Sequence, residues 1–184
     1  MIVMIFDGKA FAREIEEDLI CKVRNFVQKP KVVSILVGND PASELYTRLK
    51  SEAAKRVGVQ FDVIKLDARC KMLDVRREIE KQGARADVTG VMVQLPMLGL
   101  QGQALQDVLS AIPLQKDVDG LRWEESGIMP ATVRAILSIL DRIEIITNHK
   151  FSNSQIVVIG ARGSVGRPLC HYLRQKGAEV IEVE

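Results

Sequence analysis

This chain has no long apolar run, no block of one charge, no paired cysteines and no clustered histidines. Its longest apolar stretches, such as the one around Val32 to Val37, fall far short of the ~20 residues a membrane helix needs. Its 26 Lys plus Arg are interspersed with 24 Asp plus Glu, giving a formal net charge of +2. No basic block is present to neutralise phosphates, so nucleic acid is excluded as a partner and a small molecule or a protein is expected. Cys21, Cys70 and Cys170 form no Cys-x-x-Cys pair, and their odd number suits free thiols in a reducing compartment. His149 and His171 stand far apart with no Cys or Glu at ligand spacing, so no metal is assigned. The opening Met-Ile-Val-Met-Ile-Phe-Asp lacks the basic start and long apolar stretch of a secretory signal, and a cytoplasmic protein is expected. What is present is a 47% apolar share over 184 residues. That share excludes a disordered or collagen-like chain, and the length allows one full domain plus part or all of a small second one.

The apolar periodicity alternates between helix and strand. Phe11, Ile15, Leu19, Val23, Phe26 and Val27 recur at helical spacing over residues 8 to 28. Lys31 to Val37 reads as a strand closed by the Gly38-Asn39-Asp40-Pro41 turn, and about Ala42 to Val57 as a helix stopped by Gly58. Strand, helix and strand follow at Val59 to Leu66, Leu73 to about Ala86 and Val88 to Val93. This alternation predicts βαβ units and a parallel sheet. Gln103 to Ile112 is a shorter helix stopped by Pro113, and Leu114 to Gly120 a charged loop. Val133, Ile136, Leu137 and Leu140 form a helix able to bridge two domains, and the polar stretch Thr147 to Ser154 is the best linker. Gln155 to Ile159, Arg167 to Lys176 and Ala178 to Val183 then make one more βαβ unit. The chain stops at Glu184, where a doubly wound domain normally continues. A lone unit leaves one sheet face and one edge bare, so it must pack on the first domain, pair with another chain, or belong to a longer protein.

Four places carry candidate chemistry. The turn Gly160-Ala161-Arg162-Gly163-Ser164-Val165-Gly166 lies between a strand and a helix, where glycines let the backbone approach a pyrophosphate and free amides hold its charge. Its spacing departs from G-x-G-x-x-G, and a plain strand-to-helix turn is the alternative. About 20 residues after the first glycine an acid accepts the ribose hydroxyls of NAD and repels the extra phosphate of NADP. Glu182 and Glu184 fall there, or are surface residues of the last strand. Tyr46 and Lys50 are four apart and share a helix face, turned away from the Leu45/Leu49 face expected to enter the core. A lysine partly removed from water exchanges protons near neutral pH, and a tyrosine beside it can orient it and offer a flat surface to a planar ligand. A solvated helix face shows the same spacing. Gln94 closes a buried strand, where open parallel sheets present ligand groups, able to bond Lys50 or substrate; an ordinary turn residue is the alternative. In Lys116-Asp117-Val118-Asp119-Gly120 two carboxylates two apart point to opposite sides if the loop is extended, one capping structure and the other meeting a ligand; alone, the segment is also a solvated turn.

Together these segments resemble the bifunctional methylenetetrahydrofolate dehydrogenase/cyclohydrolase family. The matching stretches are Asp7-Gly8-Lys9-Ala10, Val37 to Ser43 through Tyr46 and Lys50 to Gly58, Val93-Gln94-Leu95-Pro96, Lys116 to Gly120, Val158-Ile159-Gly160 and Val165-Gly166-Arg167-Pro168, in family order along almost the whole chain. The resemblance implies an α/β protein: a three-layer parallel-sheet catalytic domain over residues 1–146, then an incomplete Rossmann-type domain over 147–184. It implies oxidation of 5,10-methylenetetrahydrofolate with NADP or NAD, hydrolysis of the methenyl product to 10-formyltetrahydrofolate, and a homodimer. On it, Lys50 is the catalytic lysine, Tyr46 packs on the folate and positions Lys50, Gln94 bonds Lys50, and Asp119 binds the pterin ring. Gly160, Arg162, Gly163, Ser164, Val165 and Gly166 hold the cofactor. Two segments depart from the pattern: Gly160-Ala161-Arg162 stands where the family reads Gly-Arg-Ser, and Pro130-Ala131-Thr132-Val133-Arg134-Ala135 keeps only Pro130 and Thr132 of Pro-Cys-Thr-Pro-x-Gly. The competing expectations are a truncated, non-catalytic protein that binds folate or a partner chain, and another two-domain oxidoreductase with no folate site.

Overall fold

The computed structural model describes residues 5–97 and 99–184. Met1 to Met4, where the reading of a chain without a secretory leader begins, and Leu98 lie outside the described residues. The chain divides into two compact units, Met1–Arg122 and Trp123–Glu184.

The first unit runs α1 (Gly8–Arg24), β1 (Lys31–Val37), α2 (Pro41–Val57), β2 (Gln60–Leu66), α3 (Met72–Gly83), β3 (Gly90–Val93) and α4 (Gly102–Leu109). Its three strands are parallel in the order β2-β1-β3, with Val33 opposite Asp62 on one side and Val91 on the other. The chain steps from β1 outward to β2 and then back across β1 to β3. With right-handed crossovers, α2 and α3 must therefore lie on opposite faces of the sheet. The burial pattern agrees. Val33, Ile35 and Val37 of β1 pack with Val75 and Ile79 of α3 and Val108 and Leu109 of α4, while Ser34 and Leu36, pointing the other way, are buried on the face that α2 contacts. This makes three layers. Central β1 is apolar and buried on both faces, as a parallel strand flanked by helices requires. Edge strand β2 instead mixes exposed and half-buried positions, with none fully buried. Ile35, Ile79 and Val33 are fully buried, each stabilising the unit by ~1.5–3 kcal/mol relative to exposure.

The second unit contains α5 (Trp123–Ser126), α6 (Ala131–Thr147), β4 (Gln155–Ile159), α7 (Gly166–Gln175) and β5 (Glu179–Val183). Strands β4 and β5 are parallel, with Val158 opposite Glu182. Val133 and Leu137 of α6 pack with Val158, Cys170, Leu173 and Ala178. The other sheet face shows Val157 56% and Ile159 80% exposed, with Ile181 and Val183 also exposed. The compact units therefore divide between Arg122 and Trp123, whereas the polar stretch after Thr147 suggests a boundary at 146/147. Composition marks the polar loop, but the packing of Val133 and Leu137 groups α6 with the strands that follow it. Trp123–Ser126, a short helix, and the 3-10 turns Leu114–Lys116 and Phe151–Asn153 have no counterpart in the sequence pattern. No helix among the described residues is long and apolar enough to cross a membrane.

Two helix faces differ from expectation. On α2 the inward stripe is Ser43, Thr47 and half-buried Lys50, Ala54 and Val57, whereas Leu45 and Leu49 are 43% and 47% exposed. Small side chains at 43 and 47 allow the helix to approach β1 closely, so size rather than hydrophobicity selects the buried face. On α1 only Val23 is buried, with Ile15 and Leu19 exposed, and Phe26 and Val27 lie beyond the helix end.

Candidate functional site

Helix α2 starts where Asp40 accepts the Ser43 amide at 2.8 Å, with Pro41 in the first turn, and stops at Gly58, left-handed with φ +84°. These caps set where the helix begins and ends, and with Ser43 and Thr47 buried against the sheet Lys50 falls on the same inward stripe. The Lys50 ammonium donates to Gln94 Oε1 at 3.3 Å and to Asp119 Oδ2 at 3.3 Å. The three residues come from α2, the end of β3 and the loop after α4, and each is at least partly withdrawn from solvent: the side chains of Lys50 and Asp119 are 35% and 21% exposed, and Gln94 is buried.

Two backbone arrangements hold the partners of Lys50. The Gln94 amide NH2 donates to the Leu95 carbonyl at 2.9 Å, which turns its oxygen toward Lys50, and the backbone N–H of Gln94 extends the sheet ladder to the Ile35 carbonyl at 2.8 Å. The Leu95-Pro96 peptide is cis. The two aspartates of the loop take different partners, although Val118 and Asp119 form a turn and not the extended segment considered from the sequence. Asp117 is fully buried and accepts the amides of Leu121 at 2.9 Å and Arg122 at 2.8 Å, so it closes its own turn, while Asp119 faces Lys50. Beneath this loop lies Gly90, which the sequence reading passed over. A Cβ there would stand 2.2 Å from Val118 Cγ1. A glycine inside an apolar strand is the signal that another segment comes close. Tyr46 stands one helical turn before Lys50 and is 59% exposed.

The second candidate group belongs to the second unit. Gly160 leaves β4 with φ +73°, and its amide and that of Ala161 bond the Val183 carbonyl at 2.8 and 3.2 Å, which ties the turn to the end of β5. The Gly163 amide closes onto the Gly160 carbonyl at 3.0 Å. Gly166 is buried, and a Cβ on it would lie 2.1 Å from the Gly160 oxygen, so no other residue fits. Arg162, Gly163, Ser164 and Val165 are exposed above the start of α7. Of the two acids, Glu184 pairs with Arg162 at 3.1 Å, and Glu182 pairs with Arg174 at 2.6 Å.

The family model for the tetrahydrofolate dehydrogenase/cyclohydrolase catalytic domain matches residues 6–119, which span α1 through Asp119. The bifunctional protein FolD of Borreliella afzelii is 35% identical over 185 residues, covering 94% of this chain. The chain belongs to the tetrahydrofolate dehydrogenase/cyclohydrolase family. Among solved structures, the methylenetetrahydrofolate dehydrogenase-cyclohydrolase (FolD) of Trypanosoma brucei, complexed with NADP and an inhibitor, superposes with a TM-score of 0.87 at 26% identity, over 98% of this chain and 64% of that one. The NAD-dependent 5,10-methylenetetrahydrofolate dehydrogenase of Saccharomyces cerevisiae shares the fold, with a TM-score of 0.79 at 24% identity, over 96% of this chain and 63% of that one. The chain thus spans about three fifths of its family relatives, 59% in the case of the Borreliella protein.

Proposed function

We propose that this chain handles one-carbon tetrahydrofolates, with Lys50 as the proton-transfer group of methenyltetrahydrofolate hydrolysis. The observation that carries the proposal is the convergence of Lys50, Gln94 and Asp119 within 3.3 Å contacts from three separate segments of a chain belonging to this family. Asp119 offers a partly shielded carboxylate to the paired N–H donors of an aminopyrimidine. A pterin bound there takes over oxygens that Asp119 otherwise lends to Lys50, and leaves the amine on the Gln94 oxygen. In hydrolysis, a water oxygen bonds to the methenyl carbon and one of its protons passes to Lys50 Nζ. The same proton then goes to N5 as the bond between that nitrogen and the carbon breaks, and the remaining hydroxyl proton leaves to solvent as the formyl carbonyl forms on N10. Gln94 keeps the amine aimed during both transfers, and exposed Tyr46 supplies a flat surface for the folate ring.

The proposal extends to oxidation of 5,10-methylenetetrahydrofolate with NADP or NAD, and to a dinucleotide-binding role for 147–184. The Gly160–Gly166 turn fits such a group: it follows a parallel strand, admits no side chain at Gly166 and opens onto a helix start. The nicotinamide supplies the hydride acceptor; Gly160, Gly163 and Gly166 give room for the pyrophosphate, and Arg162, Ser164 and Val165 border it. A cytoplasmic homodimer belongs to the same reading, in which the free thiols Cys21, Cys70 and Cys170 support the reducing compartment.

The test is the Lys50→Ala variant, followed by the loss of methenyl absorbance. Hydrolysis is expected to fall at least ~100-fold, the scale of general acid–base catalysis, with an unchanged far-UV circular dichroism spectrum. Unchanged turnover in a folded Lys50→Ala protein removes the lysine from the mechanism. Folate binding with no turnover by the unaltered chain would favour a binding protein instead.

A further inference from the structure

The carboxyl ends of β4 and β5 carry a charge arrangement that the folate reading does not use. Arg162 lies three residues beyond β4 and Glu184 directly follows β5, and their side chains meet at 3.1 Å. The adjacent parallel strands bring these positions together, and ligands of open parallel sheets bind at this end of the strands. Both side chains are largely exposed, 82% and 57%, and an exposed pair of this kind contributes little to folding. Around it, each arginine near the turn is matched by a glutamate: Arg174 by Glu182 at 2.6 Å and Arg167 by Glu124 at 3.3 Å. Among the described residues, these three arginines are each paired with a glutamate, so none of the three is offered unpaired to a phosphate monoester.

We propose that Glu184, held at the glycine turn by Arg162, selects the nicotinamide dinucleotide whose adenosine ribose carries a free 2′-hydroxyl. The inference rests on the dinucleotide reading of 147–184 and names the cofactor within it. A carboxylate at the end of the second strand accepts hydrogen bonds from ribose hydroxyls. A 2′-phosphate in the same place puts two like charges together and must compete with the carboxylate for the Arg162 guanidinium. Arg162 is a positioning residue here: it fixes the carboxylate and reaches a phosphate only after Glu184 lets go.

The full 184-residue chain is titrated with NADH and with NADPH, and binding is read by calorimetry and nicotinamide fluorescence. NADH is expected to bind about tenfold or more tightly than NADPH, the size of one favourable charge contact exchanged for a repulsive one. Glu184→Gln frees Arg162, so the preference is expected to shrink at least about fivefold through tighter NADPH binding and weaker NADH binding. Glu184→Asp should keep the order of preference, which a merely structural role would not require. NADPH binding equal to or tighter than NADH, an unaltered ratio in Glu184→Gln, or binding of neither dinucleotide each overturns the proposal. Methenyl hydrolysis, assayed on the same preparations, is the separate measure of the folate reading: its loss in Lys50→Ala stands or falls whatever the dinucleotide ratio.

Discussion

Asp117 and Asp119 are the same residue type two positions apart, and their surroundings give them opposite tasks. Asp117 has its oxygens filled by two backbone amides and is fully buried, so its charge is spent on holding the loop. Asp119 keeps a partly open side chain and one contact to a mobile-stemmed cation, which leaves it able to change partners. A third aspartate shows how charge pairing acts on the fold itself. The Arg85 guanidinium grips both oxygens of Asp87 at 3.0 and 2.7 Å, with Lys31 at 3.4 Å, and this holds the carboxyl at about 2, below its ordinary 3.8. A carboxyl lowered in the folded state stabilises the fold above its unfolded value, and that contribution is lost as the pH falls from there through the folded value. The urea midpoint of Asp87→Asn is therefore expected below that of the unaltered chain at about pH 6, with the gap closing as the pH falls toward about 2. A gap of constant size over that range would show that the Asp87 charge does not support the fold.

At the scale of elements, strand β3 and the loop after α4 form the frame of the site. Val91 and Asp117 make an isolated parallel bridge, and Val118 lies directly over Gly90. Gly90→Ala forces the loop outward, carrying Asp119 away from Lys50. The expected cost is about 1–3 kcal/mol in urea unfolding, with a fall in methenyl hydrolysis. Adding Val118→Ala removes the two nearest methyl carbons, so the double variant should recover both stability and turnover. Failure of that rescue would place the fault of Gly90→Ala elsewhere in the strand. This frame was only half legible in the sequence. The run Lys31–Val37 and the strand ending at Gln94 could be read because a buried parallel strand is a continuous apolar run, whereas the two loop aspartates take different partners within a turn and not through the extended geometry expected. The inward face of α2 could not be read. Periodicity weighs apolar character and so selects Leu45 and Leu49, whereas the sheet accepts Ser43 and Thr47 because they are small, and takes Lys50 because its amine has partners beyond the edge of β3. Ser34 and Thr47 have hydroxyls without hydrogen-bond partners among the described residues, a cost that a purely hydrophobic pattern would not anticipate.

At the scale of the molecule, two separate cores imply two separate stabilities. The first unit closes both faces of its sheet with helices, and its core gathers residues from β1, β3, α3 and α4. The second has about 60 residues, a size at which a single core is marginal, and its β4–β5 sheet is covered by α6 and α7 on one face only. Its buried set is also smaller, resting on Val133, Leu137, Val158, Cys170 and Leu173. The chain contains a single tryptophan, Trp123, and it belongs to the second unit, where Arg167 lies over its ring at 5.6 Å. Its fluorescence therefore follows the second unit, while far-UV circular dichroism is weighted toward the larger first one. Urea unfolding is expected to show the fluorescence midpoint at lower denaturant than the circular dichroism midpoint, and the proposed methenyl hydrolysis, whose candidate residues Lys50, Gln94 and Asp119 belong to the first unit, should survive past the fluorescence transition. Coincident midpoints would mean that the chain unfolds as one cooperative body, and the separate cores would then not confer separate stability.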